Sequence, residues 1–397
     1  MSKGLDGLGP LTATGNPSAS NSKSLSRLFG SSEELLPLWI SEPYVPLAPA
    51  VVAAIESRAG DAWYGYETRP DDFRDNFWSW MNRRHGWSGF DLTTLVSPSV
   101  GTSIGALIDI LTDPGDGVIL QPPVFTDFKP LINRSGREPV RSSLLLNDAR
   151  YSMDLDDLTT RAKDPANKLM ILCNPHNPVG RMWDQTELST VAAICSQNDV
   201  FVVADEIHAD LALPPHHFTP FAVAAKGSGV RWAATHGPIK TFGLAGVADT
   251  YLVTDDETIA EQYVSMSGRL RLTRNNVFAL SATRAAYLDG GDWLDGLLDL
   301  VARNVESLKT GLPDEVGVVI PAATYLAWLD FRQLGMEVPE LSSWLVREAQ
   351  LALSPGHWFG REGAGFARMT IAVTEDVLED AIARIALAVE RGRWGQQ

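Results

Sequence analysis

The chain has 397 residues, which exceeds one ordinary domain and predicts a large domain with a smaller companion. Hydrophobic residues make up 45% and charged residues 21%, a globular composition that excludes a disordered or fibrous architecture. A formal net charge of −16 disfavours binding to nucleic-acid phosphates or anionic membrane surfaces. We therefore expect small-molecule partners, with no nucleic acid and no membrane.

Residues 1–30 mix Gly, Ser, Asn and Pro and lack the apolar core of a secretory signal, so they predict a flexible or draped arm. No apolar stretch is long enough to cross a membrane. Cys173 and Cys195 lie in apolar runs without the spacing of metal ligands. They predict buried, reduced thiols, no metal site and a cytoplasmic location.

From about residue 45 to 290, short β-rich runs alternate with amphipathic helical patterns. This alternation predicts an α/β domain with a mainly parallel sheet flanked by helices. The predicted strands are Thr93–Val96, Gly117–Gln121, Leu169–Cys173, Val200–Ala204, Trp232–Thr235 and Thr250–Val253. Thr102–Leu111 and Thr186–Asn198 carry apolar residues at helical spacing.

Asp292–Leu312 carries one apolar stripe and predicts a long helix that joins two domains. The remaining elements predict a smaller α+β domain, with strands at Val316–Ile320, Tyr325–Phe331 and Phe366–Val373 and helices at Leu341–Ala352 and Val377–Arg391. We expect an N-terminal arm and small-domain segment in residues 1–44, a large domain in 45–290 and a small domain in 291–397.

Polar motifs follow two of the predicted strands, where open α/β sheets collect ligand sites. Asn174–Gly180, with the sequence NPHNPVG, follows the strand that ends at Cys173. Asp205 begins the sequence DEIH after the next strand. Each has an ordinary alternative, because Asn, Pro and Gly are frequent in turns and a carboxylate after a strand can cap a helix.

Lys240 is the only lysine that lies between small and apolar residues, in the sequence GPIKTFGLAG. Desolvation weakens the preference of a lysine for its charged form, and imine formation with an aldehyde requires the neutral amine. A surface lysine in a Gly-rich loop is the ordinary alternative. The order and spacing of the three motifs favour a lysine that binds a cofactor covalently.

Asn-Pro-x-Gly, then Asp, then Lys about 35 residues later resembles the pyridoxal 5′-phosphate (PLP) enzymes of fold type I, the aspartate-aminotransferase fold. Over about residues 35–390 the chain also resembles the cystathionine β-lyase subgroup, the PatB or MalY-like C–S lyases. The motifs that carry this resemblance are Trp39, Tyr64–Tyr66, Cys173–Gly180, Asp205–His208, Lys240–Phe242, Leu244–Gly246, Ala323–Arg332 and Gly365–Arg368.

The resemblance implies that Lys240 holds PLP as a Schiff base and moves the proton at the substrate Cα. Asp205 would pair with the pyridine nitrogen and keep it protonated, which lets the ring accept electrons. Asn177 would hydrogen-bond the phenolic oxygen of the ring and border the substrate. His208 would lie near the same oxygen, with a purely structural histidine as the alternative.

The resemblance also implies a phosphate site where Gly101 and Thr102 open a helix. Phe125 matches the aromatic residue that stacks on the cofactor ring. Tyr66 matches a tyrosine that reaches the phosphate of the neighbouring subunit, which implies a homodimer with shared active sites. Arg368 matches the arginine that binds the α-carboxylate of the substrate in a bidentate pair.

The chain departs from the subgroup at two places. An Ala-Asp-Met-Asp-like stretch usually follows the tryptophan, whereas this chain has Ile40–Tyr44. That loop borders the substrate in relatives, so Ser41 and Tyr44 are candidate substrate contacts, and a substrate other than cystathionine is open. Gly237 and Ile239 replace hydroxyl residues that commonly precede the lysine, which puts one phosphate hydrogen bond in doubt.

The resemblance favours α,β-elimination of an amino-acid substrate, a cysteine S-conjugate, to a thiol, pyruvate and ammonia. A class I/II aminotransferase is the first alternative, because every residue named above also serves transamination. Decarboxylation-coupled oxidative deamination of a bulky cysteine S-conjugate, as in actinobacterial antibiotic pathways of the lincosamide type, is the second. A PLP-binding regulatory protein is the third, and retained Lys240, Asp205 and Arg368 argue against it.

Overall fold

The computed structural model describes residues 17–394, so residues 1–16 of the predicted arm lie outside the described residues. The helices of the described part are α1 (Ser22–Phe29), α2 (Pro49–Gly60), α3 (Phe73–His85), α4 (Val100–Leu111), α5 (Phe128–Arg134), α6 (Leu155–Ala162), α7 (Gln185–Gln197), α8 (Phe221–Ala224), α9 (Pro238–Thr241), α10 (Glu257–Leu270), α11 (Val277–Asp289), α12 (Gly291–Gly311), α13 (Val338–Arg347) and α14 (Glu375–Trp394).

The strands of the same part are β1 (Leu36–Pro37), β2 (Thr93–Ser97), β3 (Gly117–Leu120), β4 (Glu138–Arg141), β5 (Leu145–Asn147), β6 (Arg150–Ser152), β7 (Asn167–Cys173), β8 (Phe201–Asp205), β9 (Trp232–His236), β10 (Thr250–Thr254), β11 (Gly317–Val319), β12 (Leu326–Asp330), β13 (Leu351–Ala352), β14 (Ser354–Pro355) and β15 (Phe366–Thr370). The predicted strands of the larger sheet are all present, with ends shifted by one or two residues.

Seven strands form the larger sheet, in the order β2-β10-β9-β8-β7-β3-β4. The pairs from β9 to β4 are parallel, whereas β10 runs antiparallel to both β9 and β2. This confirms the predicted α/β fold with a mainly parallel sheet. The edge strand β4 was not predicted; its Pro139 suits an edge because proline cannot donate to a sheet ladder.

Helices cover both faces of this sheet, which explains why its central strands are continuously apolar. Along β7, Leu169 and Ile171 pack into one hydrophobic cluster and Met170 and Leu172 into the other. Side chains of a strand alternate between the two faces of its sheet, so one apolar run serves both cores. The strand ends are thereby held rigidly, and the polar residues that follow them share one edge.

The smaller sheet has four antiparallel strands, in the order β11-β12-β15-β14. The helix α12 precedes it and buries the apolar stripe predicted for Asp292–Leu312. Asn304 on α12 donates to the carbonyl groups of Ile371 and Val373, at 2.8 and 2.9 Å. The domain boundaries near residues 44 and 290 remain predictions.

Two elements differ from the sequence-based predictions. Residues 22–29 of the predicted arm form the helix α1, with Asn21 as its cap and Leu25 buried. The predicted helix Leu341–Ala352 ends at Arg347, because the last two residues pair as β13 with β1. Both differences depend on packing between distant segments. Among residues 17–394, no helix has the length and apolarity needed to span a bilayer.

Candidate active site

The carboxyl ends of β7, β8 and β9 bring the three predicted motifs together. Asp205 is the last residue of β8, and the register pairs it with Cys173 of β7 and Thr235 of β9. Asn177 lies in the loop after β7, and Lys240 lies on α9, directly after β9. Because neighbouring parallel strands end at one edge of the sheet, residues that are distant in the sequence meet there.

Lys240 is partly buried, and its Nζ donates to the carbonyl oxygen of Ser41 at 2.6 Å. Lys240 lies in one turn of helix, Pro238–Thr241. Burial, and secondarily the charge of Arg368, lower the pKa of Lys240 to about 8. A larger share of neutral amine is therefore present near neutral pH than an ordinary lysine has.

Asp205 is buried beneath this lysine at the end of β8. Its Oδ1 accepts from the amide of Ile207 at 3.3 Å and from the hydroxyl of Thr235 at 3.1 Å. Burial raises the pKa of Asp205 to about 6, although these hydrogen bonds and the charge of Lys240 oppose the rise. The carboxylate is mainly ionised at neutral pH, and its Oδ2 can accept from a further donor.

Arg368 on β15 is a buried cation that has no carboxylate partner among residues 17–394. Its Nη1 donates to Asn177 Oδ1 at 3.0 Å, and its Nη2 donates to the Trp39 carbonyl at 2.7 Å and to Ser354 Oγ at 3.3 Å. Its Nε has no hydrogen-bond partner in this part of the chain, and burial lowers the pKa of Arg368 to about 10. A buried, unneutralised guanidinium suits an anionic ligand, because its desolvation is otherwise uncompensated.

His208 is buried between Lys240 and the small sheet, with its ring edge-on to Tyr325 at a centroid distance of 6.2 Å. Its Nδ1 has no hydrogen-bond partner among residues 17–394. Burial, and then the charges of Lys240 and Arg368, hold the pKa of His208 well below its ordinary value. A neutral imidazole with an open nitrogen can hydrogen-bond a ligand oxygen.

The predicted phosphate site lies where α4 begins. Ser99 caps this helix, accepting from the amide of Thr102 at 3.1 Å and hydrogen-bonding its hydroxyl at 2.9 Å. Space beside Gly101 is open, since a Cβ there would meet only Ser99 Oγ, at 3.8 Å. A steric constraint favours glycine at position 237, because a Cβ there would lie 3.2 Å from the Cα of Thr250. That close approach explains the missing hydroxyl side chain at this position.

Comparisons with known proteins decide the family. The family model described as aminotransferase class I and II matches residues 33–385. The chain belongs to this family. Cystathionine beta-lyase PatB of Bacillus subtilis (strain 168) is 35% identical over 366 residues, which cover 91% of this chain and 94% of that protein. The PatB and MalY subgroup predicted from the sequence is thereby confirmed.

Two solved structures of this aminotransferase fold are close to the chain. A PLP-bound putative aminotransferase from Clostridium difficile 630 has a TM-score of 0.90 at 34% identity, over 96% of this chain and 99% of its own. A PLP-bound C–S lyase from Staphylococcus hominis has a TM-score of 0.90 at 25% identity, over 98% of each chain. The predicted fold type I is confirmed.

The residues around Lys240 fit the PLP that these family members carry. Lys240, an amine with a lowered pKa, interacts electrostatically with the buried carboxylate of Asp205, whose Oδ2 is open, and with the imidazole of His208, whose Nδ1 is open. The open N-terminus of α4 suits a phosphate group, which helix N-termini bind through their amides and dipole. Phe125 lies at the carboxyl end of β3, half-buried beside Phe128. No group of three His, Cys, Asp or Glu side chains in residues 17–394 is arranged to hold a metal ion.

Tyr66, a predicted site residue, lies on the surface of the described chain. Its side chain is 86% exposed, and the guanidinium of Arg274 lies 5.2 Å from its ring centre. Within residues 17–394 no hydrogen bond or ring contact joins it to the other predicted site residues. Ser41 and Tyr44, by contrast, are buried; the Ser41 carbonyl contacts Lys240, and Ser41 Oγ has no hydrogen-bond partner in the described chain.

Asp210 was not predicted from the sequence, yet it supports the turn that carries Lys240. Its carboxylate accepts from Trp80 Nε1 at 2.9 Å, bonds His85 Nε2 at 2.8 Å and accepts from Thr241 Oγ1 at 2.8 Å. Burial alone would raise the pKa of Asp210, but these hydrogen bonds outweigh burial and lower it. An acid within the apolar run Ile207–Leu213 was the only sequence signal.

We expect Asp210→Asn to lower the free energy of unfolding by about 2 kcal/mol, because it removes the charge from three buried hydrogen bonds. Urea denaturation of the two proteins measures this difference. The difference should shrink as the pH falls below about 4, since a carboxylate with a lowered pKa stabilises the fold only while it is ionised. Asp380→Asn, which breaks an exposed pair with Arg384, is the control and should change stability by less than about 0.5 kcal/mol. Equal stability of Asp210→Asn and wild type would contradict this role.

The lowered pKa of Lys240 predicts how the apoprotein reacts with added PLP. The rate constant should rise from pH 7 to about 9 and then level off, because the neutral amine increases as the pH passes its pKa of about 8. Stopped-flow absorbance of imine formation measures the rate, and Lys240→Ala gives the background from other amines. A rate that continues to rise tenfold per pH unit above pH 9 would indicate an ordinary lysine.

Proposed function

We propose that the chain is a PLP-dependent C–S lyase that cleaves a cysteine S-conjugate by α,β-elimination, releasing a thiol, pyruvate and ammonia. One observation carries the proposal: the charges of the buried Asp205 carboxylate and of the unneutralised Arg368 guanidinium both act on Lys240, whose pKa is lowered. The named activities of the relatives, cystathionine beta-lyase and C–S lyase, support the same reaction class.

When bound, PLP supplies an electron sink for the electron pair left at the substrate Cα. Asp205 would hold the pyridine nitrogen protonated, and Asn177 and His208 would hydrogen-bond the phenolic oxygen. Arg368 would bind the α-carboxylate, and this contact would orient the Cα–H bond towards Lys240. The Lys240 amine removes that proton, the Cβ–S bond breaks, and the thiolate leaves with the bonding electrons. One water molecule then converts the remaining three-carbon fragment to pyruvate and ammonia.

An aminotransferase is the second candidate, because a solved relative at 34% identity is named a putative aminotransferase. In that reaction no β-substituent would leave. Lys240 would instead return the proton to a carbon atom of the cofactor. The residues around Lys240 serve both reactions. Substrates and products therefore separate the two candidates.

We also propose a homodimer in which Tyr66 completes the phosphate site of the partner subunit. Trp63, Tyr64 and Tyr66 expose 58%, 54% and 86% of their surfaces on one short segment. Exposed aromatic groups this close together are typical of protein interfaces. The buried thiols Cys173 and Cys195 support a cytoplasmic, reducing environment.

Purified protein with bound PLP should release thiol, pyruvate and ammonia in equal amounts from S-substituted cysteines. Each product is assayed separately, together with new amino acid from added 2-oxo acids, hydrogen peroxide and carbon dioxide. Lys240→Ala is the control and should lose turnover, because it removes the amine to which the proposal assigns the Cα proton. Transfer of the amino group to a 2-oxo acid without thiol release would support the aminotransferase. Carbon dioxide with hydrogen peroxide would support oxidative deamination, and no turnover at all would support a regulatory role.

Tyr66→Phe should weaken PLP retention by about tenfold to a hundredfold, since it removes one charge-assisted hydrogen bond to phosphate. Equilibrium dialysis measures the dissociation constant, and sedimentation measures the oligomeric state, which should stay dimeric. Tyr64→Phe is the matched control, because the Tyr64 hydroxyl donates at 2.6 Å to Ala59 of its own chain. A fully active monomer would refute the shared site.

A further inference from the structure

Glu42 lies beside the candidate site, next to the Ser41 carbonyl that contacts Lys240, on the segment in which the chain departs from its subgroup. The carbonyl of the preceding Ser41 accepts from Lys240 Nζ at 2.6 Å, and the carbonyl of Glu42 accepts from Thr370 Oγ1 at 3.1 Å. Thr370 lies on β15, two residues after Arg368. The backbone of Glu42 is therefore fixed between the lysine and the arginine of the site.

We infer that Glu42 determines specificity for the β-substituent of the substrate, favouring an ammonium-bearing substituent over a carboxylate-bearing one. The inference rests on the proposed function, since this substituent is the leaving group of the elimination. It names a substrate class that the family resemblance alone does not give.

Two side-chain groups of this segment lack partners. Within residues 17–394 the Glu42 carboxylate makes no side-chain hydrogen bond or ion pair, and it is only partly buried. Ser41 Oγ is buried and has no hydrogen-bond partner in the same part of the chain. Buried polar groups are nearly always hydrogen-bonded, so this hydroxyl indicates a ligand with a polar atom beside Glu42.

Once the other charged groups of the site are assigned to their roles, Glu42 is the one that can interact with the β-substituent. Lys240 is influenced by Arg368 and by the carboxylates of Glu42, Asp205 and Asp127. In the proposed function Arg368 pairs with the substrate α-carboxylate, and Asp205 pairs with the pyridine nitrogen. Lys240 must give up and regain its proton, so it cannot remain a counter-ion. The charges that remain for the rest of the substrate are then negative, those of Glu42 and Asp127.

The electrostatics of Glu42 agree with this placement. Burial raises the pKa of Glu42, and the charge of Lys240 opposes the rise. The same carboxylate, after burial itself, raises the pKa of the Tyr44 phenol. A carboxylate that is partly desolvated and lacks a fixed counter-ion gains most from a cation supplied by the ligand.

A groove lined partly by Phe125 offers the opposite preference. It has a volume of about 750 Å³, and five basic residues, Lys129, Arg141, Arg161, His357 and Arg361, outnumber the acidic residues Asp154 and Asp157 in its lining. None of these five influences the pKa of Lys240 or Arg368. Arg161 and Arg361 are also paired, with Asp157 and Glu362. We therefore expect Glu42, and not the groove, to set the charge preference for the first atoms of the substituent.

The test compares three cysteine conjugates of similar length: S-(2-aminoethyl)-, S-carboxymethyl- and S-propyl-L-cysteine. For each, kcat/KM for thiol release is divided by the value for the neutral S-propyl compound. The wild-type enzyme should favour the aminoethyl over the carboxymethyl compound by about tenfold. In Glu42→Gln this ratio should fall to about one, because the side chain keeps its shape and loses its charge. Glu42→Asp should retain most of the preference.

Two controls keep the outcome decisive. Glu340→Gln, at an exposed position on α13, should leave the ratio unchanged. Asp127→Asn should reduce the ratio, which provides a second measurement if Glu42→Gln fails to fold. Thiol release with a ratio that neither variant alters would overturn the inference and leave the lyase intact. A wild-type preference for the carboxymethyl compound would also overturn it and assign the substituent to the basic groove. No thiol from any of the three would instead refute the lyase.

Discussion

The buried guanidinium of Arg368 is the constraint on which the site depends. It comes from the smaller sheet and donates to Asn177, in the loop after a strand of the larger sheet, and to the carbonyl of Trp39. Three distant segments are thereby fixed around one cation. Because no carboxylate neutralises this cation within residues 17–394, its field acts on every neighbouring titratable group. It helps to lower the pKa of Lys240 and to keep His208 neutral.

Under the proposed function, this field would couple substrate binding to proton transfer. A substrate α-carboxylate paired with Arg368 would remove the repulsion between Arg368 and Lys240. Lys240 then holds a proton more strongly when substrate is present than when the site is empty. The amine is thus most easily neutral while it must react with an aldehyde, and most basic when it must accept the Cα proton. A single cation serves both stages because its charge is cancelled only by the correct ligand.

Sequence patterns predicted the parts of the site that local structure determines. Lys240 and Asp205 were recognisable because apolar strands precede them, and polar residues after parallel strands gather at one edge. Asp210 was not recognisable, since its partners Trp80 and His85 are more than a hundred residues away. No local pattern specifies such a contact, and the same holds for the pairing of β1 with β13. The role of Tyr66 is a prediction about a second chain.

The two departures from the subgroup lie at opposite ends of the proposed cofactor. Gly237 would adjoin the phosphate end, where a Cβ would lie only 3.2 Å from the Cα of Thr250. Glu42 would adjoin the substrate end, where its charged side chain is only partly buried. The residues between them, Lys240, Asp205 and Asn177, keep the types that the chemistry requires. A site built in this way can change which substituent it accepts while its acid–base groups stay in place, because the selecting carboxylate is carried by a loop and the reacting groups by the ends of a rigid sheet.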